Sequence, residues 1–252
     1  MNSISKLAVF GSLLGLSLAN PVNAAITLVS ESFDYPDGNL AGNNTGTGFS
    51  DAWGSGNFTV LNGAAYSNPN SSTQNSTQNR SLNGFSETTF TLSLDYTVVA
   101  NVEGSYDFHV VLLDDSGQTL FSLGNRNNQG STGEFYVARL GTNSAGNAQS
   151  AYKLGGSETF SDTMTVDFSI SGTSVTANLS SVAFPSMNTV LNRSDFAAAI
   201  DFTSGGTLRI EKSGLDGMQI TTDNILITAV PEPSSSILMA MAGCTLLVRR
   251  RR

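Results

Sequence analysis

The chain has one imidazole, His109, in the run Ser105-Tyr106-Asp107-Phe108-His109-Val110-Val111-Leu112-Leu113. A serine hydrolase would need that ring beside a serine and a carboxylate, yet no Gly-x-Ser-x-Gly elbow occurs. Read at period two, Asp107, His109, Val111 and Leu113 share one strand face, and Tyr106, Phe108, Val110 and Leu112 the other. Apolar residues on both faces predict a central strand with a structural histidine. A glycoside hydrolase would need two carboxylates about 5–10 Å apart, which a strand supplies from one face. No Glu-x-Asp-x-x-Glu alternation is present, and Asp162 and Asp167 read as solvated faces. No catalytic residue is therefore assigned. A secreted glycan-active enzyme, hydrolase or lyase, stands as the alternative to a non-catalytic protein.

Oxygen ligands come next. Ca²⁺ takes hard oxygens from loops and strand ends. Asp34 and Asp37 follow the first strand, and Asp223 with Asn224 lies in the last. If those strands are neighbours, the four converge as a candidate calcium site. Asp34-Tyr35-Pro36-Asp37-Gly38 is equally the composition of a turn, and both readings stay open. Trp53, the only tryptophan, sits in a Gly-rich loop. Exposed, its ring could stack on a sugar and serve as a glycan contact; folded back, it would plug the end of the domain.

The elements that must position these residues are strands. Thr88–Val98 alternates cleanly, with Phe90, Leu92, Leu94 and Tyr96 on one side and Asp95 on the other. Similar runs cover 27–33, 58–61, 106–113, 120–123, 134–140, 164–170, 175–179, 208–212 and 219–228, with turn signals between them. Ten short strands predict an antiparallel β-sandwich over residues 25–229. Residues 194–200 are the one short helix predicted, with Ser194 as N-cap. Residues 67–81 are polar and low in complexity and read as a mobile loop.

Charge narrows the partners. Five of twelve basic residues (Lys6, Arg249, Arg250, Arg251, Arg252) and one of twenty acidic ones (Glu232) lie near the ends, leaving 7 basic against 19 acidic residues over 25–230, net −12. That surface repels phosphate backbones, so nucleic acid is excluded as a partner; cations and neutral glycans are compatible. The single cysteine, Cys244, lies in the apolar C-terminal run, so the sandwich has no disulfide, cysteine metal site or thiol nucleophile.

The ends read as addresses. Lys6, the apolar run Leu7–Ala19, Pro21 and the small residues to Ala24 form a signal peptide, residues 1–24. Its apolar run spans about 20 Å, short of a ~30 Å hydrocarbon core. The Sec translocon and signal peptidase are its expected partners. Residues 230–252 combine Pro231-Glu232-Pro233, a serine spacer, a hydrophobic helix over 237–248 and Arg249–Arg252. Two prolines around one residue hold an extended, readable segment. The apolar run enters the bilayer, and the arginines stay cytoplasmic.

That tail resembles the PEP-CTERM sorting signal in its motif, apolar run, arginine cluster and their order. The resemblance implies processing by an exosortase-type enzyme, transient anchoring in the membrane, and delivery to the cell surface or extracellular matrix of a bacterium making exopolysaccharide or biofilm. Within the domain, ESFDYPDGNLAG, TGFSDAWG and the closing TDNILIT resemble PEP-CTERM proteins that carry a concanavalin A-like or laminin-G-like jelly roll. The likeness implies an exopolysaccharide-associated or glycan-binding module.

Overall fold

A computed structural model describes residues 25–67, 75–100, 107–127, 134–141, 148–154, 159–213 and 219–229. The expected signal peptide, PEP-CTERM motif, apolar run and arginine cluster lie outside them. Residues Ile26–Ala229 make one compact unit. Its strands are β1 (Ile26–Glu31), β2 (Gly38–Asn39), β3 (Thr59–Leu61), β4 (Ala64–Tyr66), β5 (Asn75–Leu82), β6 (Thr89–Ala100), β7 (Asp107–Leu113) and β8 (Thr119–Asn127). They continue as β9 (Glu134–Leu140), β10 (Gln149–Leu154), β11 (Phe160–Ser171), β12 (Ser174–Ser181), β13 (Thr189–Arg193), β14 (Gly206–Ser213) and β15 (Gln219–Ala229). One 3₁₀ turn, Pro185–Met187, is the only helical element among the described residues.

All pairings are antiparallel. One sheet has nine strands, ordered β13-β12-β11-β6-β15-β4-β3-β2, with β1 also on β15. The other has six, ordered β10-β9-β8-β7-β14-β5. First and last strands are neighbours, as Ser30↔Leu226 shows. The inner faces meet through aromatic rings. Phe121 of β8 packs edge-on to Phe168 of β11 at 5.6 Å, and Tyr96 of β6 lies 5.1 Å from Tyr136 of β9. Phe90, Leu92, Leu94 and Tyr96 all point inward and are buried.

Two expectations are corrected. Residues 75–82 are a strand and not part of a mobile loop. Their inward residues are Ser76, Gln78, Arg80 and Leu82, buried in strict alternation. Polar side chains carry the inward pattern, so no apolar period marks it. Residues 194–200 form no helix. Phe196 and Ile200 are buried, while the N–H of Ala197 donates to Gln118 Oε1 at 2.9 Å. Tertiary hydrogen bonds here replace a helical ladder.

β7 lies between β8 and β14 in the middle of its sheet. Phe108, Val110 and Leu112 face the core, so Asp107, His109 and Val111 face outward.

Candidate functional site

A groove with a cavity volume of about 440 Å³ crosses the outward face of the six-stranded sheet. That size lies within the ~300–1,000 Å³ usual for ligand sites. Strand register builds it in rows. In one row Thr77, Glu211, His109, Gly124 and Val137 stand side by side on β5, β14, β7, β8 and β9. The adjoining row runs Asn79, Arg209, Val111, Ser122 and Arg139. Arg126, Lys212, Asp107, Asn75 and Ser213 complete one end, and Thr119 and Gly141 the other.

The middle of the floor is small. A Cβ on Gly124 would sit 1.8 Å from the Phe108 carbonyl oxygen and 2.6 Å from Cδ2 of His109. Only a residue without a side chain lets β7 and its histidine come this close.

His109 is mostly buried, with Nδ1 3.7 Å from Glu211 Oε1. Its Nε2 has no hydrogen-bond partner among the described residues. Arg209 flanks the same carboxylate, Nη1 3.8 Å from Glu211 Oε2, while its Nε donates to Asn79 Oδ1 at 2.9 Å. These neighbours hold the Glu211 carboxyl below the usual range, first through His109 and against the effect of burial. Arg139 is lowered from its ordinary value, chiefly by burial and then by the like charge of Arg126. Asp107 and Glu211 act on it in the opposite direction.

The sequence placed His109 on a central strand only as a structural residue and pointed to neither the arginines nor Glu211. The available signal was Asp107-x-His109 and Arg209-x-Glu211, each placing two polar groups on one strand face. Nothing in the sequence announced that those strands are adjacent.

The four candidate calcium ligands each take hydrogen-bond partners outside the set or next in the chain. Asp34 Oδ2 accepts from Ser32 Oγ at 2.8 Å. Asp37 Oδ1 accepts from the N–H of Asn62 at 2.9 Å, at the β3–β4 turn. Asp223 lies opposite Asp95 of β6 and accepts from the Asn224 N–H at 2.7 Å. Asn224 Nδ2 donates to Asp95 Oδ2 at 2.8 Å. Asp34 lies near enough for its charge to act on Asp223, whereas Asp37 serves a turn. Among the described residues no group of three or more His, Cys, Asp or Glu side chains is arranged to hold a metal ion. Burial, with Asp95 and then Asp34 adding like charge, pushes the Asp223 carboxyl up to about 6.

Trp53 takes the inward course. It is 2 % exposed, stacked on Phe33 at 5.8 Å, and its Nε1 donates to Glu31 Oε2 at 3.0 Å. A ring covered on this scale has no face for a sugar.

No protein-family model matches the chain, and no curated protein does. Solved structures similar to it include the CBM2 module of the Lactobacillus casei BL23 phage J-1 evolved Dit, at 13% identity over 83% of this chain and 97% of that one, with a TM-score of 0.49. The carbohydrate recognition domain of Emp47p matches at 13% identity over 79% and 96%, with a TM-score of 0.48. Lectin II from Ulex europaeus matches at 11% identity over 71% and 94%, with a TM-score of 0.42.

Proposed function

We propose that the sandwich is a non-catalytic glycan-binding module of the concanavalin A-like jelly-roll type, and that it binds along the groove of the six-stranded sheet. The groove itself carries the reading. Hydroxyl, amide and guanidinium groups of Thr77, Asn75, Thr119, Ser122, Arg139 and Arg209 line an open channel shared by five strands. A sugar polymer offers hydroxyls at regular intervals, each both donor and acceptor, and such a mixed lining suits it. Affinity electrophoresis of the full chain through gels containing different polysaccharides tests this. Retardation by at least one is expected, and unretarded migration in all of them overturns the reading.

The paired imidazole and carboxylate of His109 and Glu211 favour one second reading, a glycan-active enzyme. Release of reducing ends or unsaturated products by the wild type, lost in Glu211→Gln, would establish it in place of simple binding.

The delivery of the module belongs to the same proposal. Lys6 and the apolar run after it export the chain through the Sec route. Pro231-Glu232-Pro233, residues 237–248 and Arg249–Arg252 hold it briefly in the membrane for an exosortase-type enzyme. The protein would then reside at the cell surface or in an exopolysaccharide matrix. Mass spectrometry of protein recovered from envelope and medium should show loss of both ends; a chain intact at both overturns this part.

A further inference from the structure

We propose that the groove selects an anionic glycan, one whose sugars carry carboxylate or sulfate groups. This rests on the glycan-binding reading above and names the class of ligand within it.

The argument is the uneven distribution of charge. Residues 25–230 hold only seven basic side chains. Three of them, Arg126, Arg139 and Arg209, stand on the outward strand faces of this one groove and Lys212 borders its end, beside two acidic residues among the described ones, Asp107 and Glu211. Of the other three, Arg80 is buried against Glu31, Arg193 pairs with Asp195, and Lys153 stands on the edge strand β10. The groove is thus locally positive on a domain that is otherwise strongly negative. Arg126 and Arg139 lie near enough for their like charges to act on one another. An anion between such groups relieves that repulsion, and a guanidinium can grip a carboxylate or sulfate through two parallel hydrogen bonds.

The negative remainder sets the upper limit on ligand charge. At physiological salt the Debye length is about 8 Å, so the groove acts on whatever enters it, while a long, dense polyanion still meets repulsion outside. Duplex DNA carries a charge every ~1.7 Å of axis. A chain with at most one acidic group per sugar is far sparser and fits the balance better.

The test compares oligogalacturonate with its carboxyl-reduced counterpart by calorimetry, on the full chain in about 0.15 M salt. The acidic form should bind roughly tenfold or more tightly. Arg139→Gln and Arg126→Gln should each remove most of that preference, the latter lying in a less buried position and sparing the fold. Lys153→Gln, on the same sheet outside the groove, should keep it. Equal binding of both forms overturns the charge selection and leaves the glycan reading standing. Binding of neither form, with none to sulfated oligosaccharide or any neutral glycan, removes both. Duplex DNA competing as well as the acidic sugar, or equal loss in Lys153→Gln, shows unselective attraction and also overturns the proposal.

Discussion

Glu31 and Arg80 show how one buried charge can organise a long loop. Both are 1 % exposed. Glu31 Oε1 accepts from the Phe33 N–H at 2.9 Å, and Oε2 accepts from Tyr35 Oη at 3.0 Å, from Trp53 Nε1 at 3.0 Å and from Arg80 Nη1. Arg80 spends its other donors on the loop, Nε to the Asp51 carbonyl at 3.1 Å and Nη2 to the Thr45 carbonyl at 2.6 Å. Its guanidinium also lies over the Phe49 ring, 3.8 Å from the centroid. Removing one partner of such a pair leaves the other charged and dry, at a cost of about 3–5 kcal/mol. Glu31→Gln should therefore lower stability by about that amount in urea titration, and the double variant Glu31→Gln/Arg80→Met should lose less than the two single losses summed. Asp223 gives a prediction of opposite sign. Its folded pKa of about 6 exceeds the ordinary carboxylate value. Its contribution is fully present below the unfolded pKa and is lost as pH rises through about 6. Asp223→Asn should raise the melting temperature at neutral pH and flatten the slope of stability between about pH 4 and 6; an unchanged melt and slope would refute it.

Elements in this fold tolerate polar sequence where register and close approach do the positioning. Gly124 is the sharpest case. Alanine there drives a methyl group into the Phe108 carbonyl, so β7 and β8 must part. The expected loss is about 1–3 kcal/mol, as for other overpacked sites. Gly117→Ala, at φ +80° with nothing within 4 Å, should cost only the left-handed strain of about 1–2 kcal/mol. Denaturation midpoints of the two variants, together with glycan affinity that falls only for the first, check the assignment of Gly124 to the groove floor. The contrast between strands explains what could be read in advance. β6 and β7 bury Phe, Leu, Val or Tyr at every second position and β11 buries Met164, Val166, Phe168 and Ile170, an alternation visible in the residues alone. Asp162 of β11, read as a solvated face, is instead buried and accepts from Ser181 Oγ and the Ala183 N–H. β5 buries Ser76, Gln78 and Arg80, whose partners lie 19 to 49 residues away in Asn57, Phe58 and Glu31. No local window contains that information. The pairing of β1 with β15 was legible as an expectation, and it does bring Asp223 within the field of Asp34. Asn224 is held at φ +49° where the register of β15 slips against β6. The resulting bulge directs its amide to Asp95 and not to a shared cation.

Across the whole domain, burial and charge divide the two sheets' tasks. The nine-stranded sheet receives the first and last strands, the loop pinned by Glu31 and Arg80 ties β1 to the edge strand β5, and the six-stranded sheet keeps its central outward face for small and hydrogen-bonding side chains. That division allows the groove to be closed without touching the core. Phe121 and Leu123 point inward and are buried, so Ser122 between them points to the groove floor. A tryptophan at 122 would rise between Val111 and Arg139, its register neighbours on either side, and fill the channel. Ser122 is covered by its neighbours in the channel, so an indole there crowds them and costs about 1–3 kcal/mol, as at other overpacked positions. Ser122→Trp should therefore still melt cooperatively, no more than roughly 10 °C below the wild type, while losing roughly tenfold or more in glycan affinity, neutral and acidic alike. A variant that melts normally and still binds at full strength would move the ligand off this sheet, because no bound chain can share the channel with an indole.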